Sequence, residues 1–388
     1  MSPCDEKTIP NAKPESVVRL DLPPGVPPLH FLYVYAAGAC NLACRHCWIT
    51  PDFQSAASET KGAAGKFVDP AHVRSAIEQG RPLGMSSVKL TGGEPTLHPR
   101  FRELVTLIAR EGMRIVVETN GTLVDDDLAQ FLKQSGQVTF VSVSLDGSAA
   151  PAHDYMRAVP GSFDKAVKGI RALRRAGFRP QIICSLYRGN VGQIESLIAL
   201  AEELGCDSVK FNLIQEMGRG EDFNDAQGLA LPEIIALNQF VEKEIVPRAK
   251  VRVCFDIPFA FRPIPRLLRR GLDRCGVLGI LGMLPSGELS LCGIGESMPE
   301  LVYGHIERDA LRQVWCSSPG LVELRRKVPA ELQGVCGVCM HREMCLGSCL
   351  ANNYHSSGSL NAAFSFCARA DQQGLFPASR KTTAAAPH

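Results

Sequence analysis

The stretch Cys40-Asn-Leu-Ala-Cys44-Arg-His-Cys47 places three thiols within eight residues, at the spacing C-x₃-C-x₂-C. The apolar and aromatic run from Phe31 to Ala37 precedes it and predicts a β-strand, with the cysteines in the loop at its carboxyl end. Thiolates are soft ligands that select iron–sulfur clusters, zinc or copper(I). A [4Fe–4S] cluster has four irons, so three local cysteines would leave one iron open to another ligand. A zinc half-site and a chance grouping of cysteines are the alternatives.

Length and composition favour a protein with one large domain and a smaller one, at 388 residues. Lys and Arg number 42 against 40 Asp and Glu, and this balance indicates neither a nucleic-acid partner nor a membrane surface. The 15 cysteines occur without a recognisable signal peptide or a membrane-spanning apolar run. We therefore expect metal ligation in the reducing cytoplasm, and not a disulfide framework.

Strand and helix patterns alternate after the cysteine loop as far as about residue 246. This alternation predicts an α/β fold in which six parallel βα units form an open, partial barrel. Chemistry in such barrels lies at the carboxyl ends of the strands. We expect an extended N-terminal arm at 1–28, the barrel at 29–262, a cysteine-rich domain at 263–373 and a disordered tail at 374–388.

The order of two motifs resembles the signature of the radical S-adenosylmethionine (SAM) enzymes. The cysteine loop is followed, one strand–helix unit later, by Gly92-Gly93-Glu94-Pro95. In that family the open iron binds the amino and carboxylate groups of SAM, and an electron from the cluster cleaves SAM to a 5′-deoxyadenosyl radical. The resemblance implies a TIM-like partial (β/α)₆ barrel with Cys40, Cys44 and Cys47 as cluster ligands.

The same resemblance implies which residues contact SAM. Glu94 would accept from the SAM ammonium group, and Arg157 would pair with the SAM carboxylate. For Asp146, a turn or N-cap role is an equal alternative. The full implied set is Gly92, Gly93, Glu94, Asn120, Ser144, Asp146, Arg157 and Asn212.

A second group of seven cysteines resembles the SPASM extension of radical SAM enzymes, with a zinc ribbon as the rival interpretation. The resemblance implies two auxiliary [4Fe–4S] clusters, and so three clusters in all. The first would lack a fourth local cysteine and would either use Cys254 or keep an open iron. The implied ligands are Cys275, Cys292 and Cys349 for the first auxiliary cluster and Cys336, Cys339, Cys345 and Cys367 for the second.

SPASM relatives modify peptides and proteins, and the resemblance implies an enzyme that abstracts hydrogen from such a substrate. We favour a crosslink in a ribosomally made peptide, with a leader peptide and an external electron donor such as flavodoxin or ferredoxin as further partners. The alternatives are a peptide epimerase, a sulfatase-maturase-like enzyme, an enzyme of cofactor biosynthesis and a non-enzymatic iron–sulfur scaffold. The sequence does not identify a catalytic acid or base.

Overall fold

The computed structural model describes residue 20 and residues 22–54, 67–268 and 275–382. Residues 1–19 and 21 of the predicted N-terminal arm lie outside the described residues, as do residues 383–388 of the predicted tail. Within this described part of the chain, no helix has both the length and the apolar character that crossing a membrane requires.

Of the twelve strands in the described residues, ten form one sheet, in the order β12-β11-β10-β1-β4-β5-β6-β7-β8-β9. All neighbours from β10 to β9 are parallel, whereas β11 and β12 add antiparallel to the edge. The strands are β1 (Phe31–Ala37), β2 (Ala39–Cys40), β3 (Asp52–Phe53), β4 (Ser87–Gly92), β5 (Arg114–Thr119), β6 (Val138–Ser144), β7 (Gln181–Leu186), β8 (Ser208–Leu213), β9 (Arg252–Phe255), β10 (Ile280–Met283), β11 (Glu288–Ser290) and β12 (Val302–His305).

Helices follow the parallel strands and cover the sheet, as right-handed crossovers require. The helix α1 shows how the sequence sets such a boundary. Asp69 accepts a hydrogen bond from the Ala71 N–H at 2.8 Å, and Pro70 occupies the first helical position. The helices are α1 (Pro70–Gly80), α2 (Phe101–Arg110), α3 (Asp126–Gln134), α4 (Ala150–Arg157), α5 (Ser162–Arg175), α6 (Ile194–Glu203), α7 (Arg219–Gln227), α8 (Leu231–Phe240), α9 (Ile264–Leu267), α10 (Leu311–Ser317), α11 (Pro319–Lys327), α12 (Gly334–Gly337), α13 (Arg342–Cys345), α14 (Leu350–Ser357) and α15 (Ser365–Gln372).

The predicted fold class is confirmed, because the six predicted strands are β1 and β4 to β8. The structure also extends the sheet at both edges, with β9 beside β8 and β10 beside β1. Phe31 pairs with Ile280 at the start of the β1–β10 register. An open barrel leaves the outer edge of its first strand without a partner, and β10 pairs with that edge from the cysteine-rich part of the chain.

One hydrophobic core runs through both parts of the chain, from Leu29 to Phe376. The predicted boundary at 262–263 is therefore not a gap between two separate cores. Trp315, from the cysteine-rich part, is fully buried, and its indole N–H donates to the Pro27 carbonyl at 2.9 Å. The two parts fold against each other along the β1 edge of the sheet.

The described start of the predicted tail differs from the expected disorder. Phe376 is buried, the Met340 N–H donates to the Arg380 carbonyl at 2.9 Å, and Lys381 forms a β-bridge with Cys339. Composition alone predicted disorder here because the residues are small and polar. The backbone pairing with the loop around Cys339 depends on tertiary contacts that the composition does not reveal.

Candidate active site

The three cysteines of the first motif line one cavity of about 280 Å³. Cys40 ends β2 and is buried, as is Cys44, whereas Cys47 is half-buried. Burial, together with the neighbouring Glu94 and Cys44, raises the pKa of the Cys40 thiol to about 12. The three thiols are therefore grouped at the carboxyl end of the first strand.

Backbone contacts from two helices fix this loop. The carbonyls at the end of α4 accept hydrogen bonds from the loop, with Arg45 N–H donating to Met156 O at 2.9 Å and Ala43 N–H donating to Arg157 O at 3.2 Å. At the start of α7, the Arg219 side chain donates through Nε to the Cys44 carbonyl at 2.9 Å. The loop geometry is thus set by residues more than one hundred positions away in sequence.

Gly92 and Gly93 lie against this loop and leave no room for a side chain. Gly92 has a φ of 114°, and a Cβ at Gly93 would lie 2.1 Å from the Ala39 carbonyl oxygen. The Gly93 N–H donates to Ala37 O at 2.7 Å, and the Glu94 N–H donates to Ala39 O at 2.9 Å. Glycine is required here because the end of β4 approaches the backbone that leads into the cysteine loop.

Most of the residues predicted to contact SAM line the same cavity as the three cysteines, and two lie behind its wall. Glu94 and Asp146 are fully buried and do not reach the cavity surface. The six that line it are Gly92, Gly93, Asn120, Ser144, Arg157 and Asn212.

Glu94 uses its carboxylate to join two loops. Oε1 accepts from the Thr96 N–H at 3.1 Å, the Thr96 hydroxyl at 2.5 Å and the Thr119 hydroxyl at 2.7 Å. Oε2 accepts from the Asn120 N–H at 2.7 Å. Burial raises the pKa of Glu94 even though these donors favour the ionised form. Its contact with a SAM ammonium group stays a prediction, and its contacts in the structure hold the end of β4 to the end of β5.

Asp146 and Arg157 form a buried ion pair beside the cluster loop. The Arg157 Nε lies 2.7 Å from Asp146 Oδ2, and Asp146 Oδ1 accepts from the Ser185 N–H at 2.8 Å. Burial alone would raise the pKa of Asp146, but Arg157 holds it below its ordinary value. Arg157 Nη1 also donates to the Cys44 sulfur at 3.5 Å. Asp146 therefore acts on the cavity through Arg157.

The cavity contains buried polar atoms for which no hydrogen-bond partner is found among the described residues. They include Nδ1 of His46, Oγ of Ser142 and Oδ1 of Asn212. Burial lowers the pKa of His46 to about 4, so its ring is neutral at physiological pH. A ligand with amino, carboxylate, hydroxyl and adenine groups would supply partners for such atoms. The three thiols and this polar wall fit a SAM-binding iron–sulfur cluster.

Comparison with known proteins agrees with this geometry. The model of the Radical SAM superfamily matches residues 34–210, which include the cysteine loop, the glycine pair, Asp146 and Arg157. The chain contains a radical SAM domain.

Its relatives carry more than one activity in their names. The radical SAM enzyme is 28% identical to the AdoMet-dependent heme synthase of Methanosarcina barkeri, over 84% of this chain and 93% of the relative. It is 28% identical to the mycofactocin maturase MftC of Mycobacterium ulcerans, over 81% of each chain. The crystal structure of Streptococcus suis SuiB bound to its precursor peptide SuiA has a TM-score of 0.67 at 18% identity, covering 88% of this chain and 76% of SuiB.

Glu118 is a cavity residue of this radical SAM enzyme that sequence reasoning missed. Its carboxylate lies 2.5 Å from Lys89 Nζ and accepts from the Thr91 hydroxyl at 3.1 Å. Among the described residues that line the cavity, Glu118 is the single carboxylate, and Lys210 lines the same wall. A signal existed in the sequence, because Lys89, Glu118 and Lys210 are charged residues inside predicted parallel strands, which are usually buried on both faces.

The thiols implied for the first auxiliary cluster are near enough to influence one another electrostatically. Burial, together with the neighbouring Cys275, raises the pKa of the Cys349 thiol to about 12. Burial also raises the pKa of Cys292, with Cys349 and Cys275 adding to the effect. The negative charge of Asp256, which directly follows β9, contributes to the raised pKa of both Cys275 and Cys349. Cys254, the fourth ligand that the sequence offered, is disulfide-bonded in the structure and has no free thiol for a cluster. The open-iron alternative stays a prediction.

The residues implied for the second auxiliary cluster line a small cavity of about 20 Å³. Apolar side chains such as Leu332 and Phe376 complete its wall. Among the described residues, no group of three or more His, Cys, Asp or Glu side chains is close enough to hold a single metal ion. A four-iron cluster presents its ligand positions at separate corners, so its thiols stand further apart. The four cysteines on this cavity are Cys336, Cys339, Cys345 and Cys367.

A second large cavity, of about 260 Å³, lies between the barrel and the cysteine-rich part of the chain. It shares Leu213, Ile214 and Gln215 with the cavity that holds the three cysteines. Arg369 of α15 and Glu216, after β8, close one side through two contacts of 2.7 and 3.1 Å. The two cavities therefore form adjacent chambers separated by the segment that follows β8.

Proposed function

We propose that this radical SAM enzyme modifies a peptide by hydrogen abstraction and installs a crosslink in it. The observation that carries the proposal is the pair of adjacent cavities. The first accommodates SAM beside the cysteine loop, and the second opens along the same segment, 213–215, toward the cysteine-rich part of the chain. A peptide is long enough to place one residue at the first cavity and its neighbours in the second.

In this proposal the residues of the first cavity have distinct roles. Cys40, Cys44 and Cys47 hold the cluster that binds SAM. Arg157 faces the SAM carboxylate, because a guanidinium matches that planar group. Gly92, Gly93, Asn120, Ser144 and Asn212 contact the rest of SAM, and Glu94 keeps the glycine pair and Asn120 in register through its hydrogen bonds.

When bound, SAM and the clusters supply the radical that removes a hydrogen atom from the substrate. They also supply an acceptor for the electron that must then leave the substrate. Crosslink formation also releases a proton. We assign its acceptance to Glu118, since this carboxylate lines the cavity and is kept ionised by Lys89 and Thr91. The auxiliary clusters are assigned to Cys275, Cys292 and Cys349 and to the four cysteines of the small cavity, Cys336, Cys339, Cys345 and Cys367.

The test uses protein with reconstituted clusters, SAM, a chemical reductant and the short peptide encoded nearest to its gene. We expect 5′-deoxyadenosine and a peptide that has lost two hydrogen atoms for each crosslink, both measured by mass spectrometry. A peptide of unchanged mass with an inverted residue would favour the epimerase alternative. Formation of 5′-deoxyadenosine with no change in any supplied peptide would contradict the proposal.

A second candidate is cofactor biosynthesis, which the similarity to AdoMet-dependent heme synthase supports. The same assay with a heme precursor in place of the peptide separates the two. Conversion of that precursor at a rate matching 5′-deoxyadenosine formation would favour cofactor biosynthesis over peptide crosslinking.

A further inference from the structure

The guanidinium of Arg157 meets three different environments at once. Its Nε lies 2.7 Å from Asp146 Oδ2, and its Nη1 donates to the Cys44 sulfur at 3.5 Å. The same side chain is part of the wall of the SAM cavity. Only 7% of Arg157 is exposed, so both contacts lie away from bulk water.

The backbone fixes this arrangement. Arg157 is the last residue of α4, and its carbonyl accepts from the Ala43 N–H, one residue before Cys44. Asp146 is held in turn by the Ser185 N–H on β7, and its own N–H donates to Nδ1 of His153 at 3.0 Å. These contacts hold the Arg157 guanidinium in one position relative to the Cys44 sulfur.

We propose that Arg157, oriented by Asp146, is a positioning residue that raises the reduction potential of the cluster held by Cys40, Cys44 and Cys47. Reduction adds negative charge to a cluster and its thiolates. A charge-assisted hydrogen bond to a ligating sulfur stabilises that charge, and hydrogen bonds to the sulfurs are among the factors that set cluster potentials. The effect is strong in a buried site because water does not screen it.

This role is additional to the SAM carboxylate contact in the proposed function. A guanidinium has five N–H donors, so one side chain can serve a thiolate, Asp146 and a carboxylate together. Because the same charge then serves both SAM and the cluster, SAM binding and cluster reduction are coupled, and thermodynamic linkage makes the coupling reciprocal. If Arg157 served SAM alone, the potential of the SAM-free cluster would not depend on it.

The experiment is a redox titration of the reconstituted protein without SAM, followed by electron paramagnetic resonance. The contribution of the auxiliary clusters is measured in the protein in which Cys40, Cys44 and Cys47 are all replaced by alanine, and is subtracted. The main variant combines Arg157→Gln with Asp146→Asn, because removing Arg157 alone would leave a buried, unpaired carboxylate.

Arg45→Gln is the matched control. Arg45 follows Cys44 directly and carries the same charge, but it is exposed and donates to the Tyr155 carbonyl at 2.9 Å, not to a thiolate. Its removal should leave the titration unchanged, since water and salt screen an exposed charge.

At a given potential, we expect the ratio of reduced to oxidised cluster to be about tenfold lower in the double variant than in the wild type. This corresponds to a midpoint potential lower by about 59 mV for one electron. A double variant with the same midpoint potential as the wild type overturns the proposal, and so does an equal shift of the midpoint in Arg45→Gln.

If the double variant binds less iron, Arg157→Lys replaces it. A lysine that pairs with Asp146 loses the fork that reaches the sulfur, so we expect a smaller shift downward, and a wild-type midpoint would overturn the proposal. The titration contains no peptide, so failure to modify a peptide would leave its result standing.

Discussion

The cavity with three cysteines and the cavity with four differ in what completes their walls. Around Cys40, Cys44 and Cys47 the wall is polar and charged, with Arg157, Glu118 and unpartnered buried atoms facing the space. Around Cys336, Cys339, Cys345 and Cys367 the space is small and its wall is mainly apolar, with Arg342 as the one charged residue among the described residues that line it. A cluster that must bind a second molecule needs an open iron and polar partners, whereas a cluster with four protein ligands needs neither. The comparison predicts reactivity at the first site and electron transfer or fold stabilisation at the second.

The largest expected effect breaks the first site. Replacing Cys40, Cys44 and Cys47 together by alanine should abolish 5′-deoxyadenosine formation and remove about one cluster of iron, because the seven downstream ligands remain. Iron analysis and a deoxyadenosine assay measure this. Deoxyadenosine formation by the triple variant would show that the SAM-cleaving cluster lies elsewhere.

Cys339→Ala tests the second site. We expect the variant to keep SAM cleavage but to give less modified peptide per deoxyadenosine, because the electron that leaves the substrate has lost an acceptor. Metal ligation also contributes folding free energy, and the shared core makes some loss of thermal stability expected. The measurement is the ratio of modified peptide to deoxyadenosine in the soluble variant. A wild-type ratio would limit this cluster to a structural role.

Glu118→Gln probes the charged wall of the first site. Product formation should slow by roughly 10²-fold, the lower end of the range for general base catalysis, with deoxyadenosine formation retained. The control is the reverse exchange, Gln193→Glu, at a residue outside the cavity. It shows whether exchanging an amide and a carboxylate elsewhere in the protein also slows product formation.

The same carboxylate has a pH signature. Burial alone would raise the pKa of Glu118, but Lys89 and Thr91 hold it below its ordinary value. Its contribution to the free energy of unfolding is therefore complete above the pKa of an unfolded glutamate and is lost as the pH falls through the lowered native value. Chemical denaturation at several acidic pH values should show a smaller loss of stability in Glu118→Gln than in the wild type.

Glu94→Gln tests a residue behind the same wall. An amide places a donor where the carboxylate accepts from Thr96, Thr119 and Asn120, so we expect a destabilisation of about 1–3 kcal/mol. SAM affinity should fall while the iron content is kept. Glu103→Gln is the control, since Glu103 is exposed and pairs with Arg100 at the surface. Equal SAM affinity in Glu94→Gln and the wild type would exclude Glu94 from SAM binding, whether direct or through Asn120.

The smallest expected effect concerns an ion pair between the barrel and the cysteine-rich part of the chain. Arg369→Gln removes the ion pair with Glu216, which is partly exposed on both sides. Such pairs contribute below about 1 kcal/mol, so thermal unfolding should hardly change. If the second cavity admits substrate, the Michaelis constant for a peptide should change although the melting temperature does not. An unchanged Michaelis constant would argue against that route.

The local signals of this chain were readable without a structure. The spacing of Cys40, Cys44 and Cys47 and the glycine pair Gly92-Gly93 are short-range features, because ligand geometry and close backbone contact restrict residues that are neighbours in sequence. Strand–helix alternation likewise reports periods of a few residues, and the six predicted strands are present. Motif order then supplied the radical SAM prediction that the family comparison confirms.

Tertiary structure decided what depends on contacts between distant segments. The pairing of Lys89 with Glu118, the return of β10 to the edge of β1 and the contact of Arg157 with Cys44 each join residues far apart in the chain. Nothing local distinguishes Glu94 or Asp146, which lie behind the cavity wall, from Arg157, which faces it. Which face of a loop points into a cavity is set by strand register and by the helices packed behind it. The sequence alone therefore determined which residues gather at the site, and the fold determined which of them can touch a ligand.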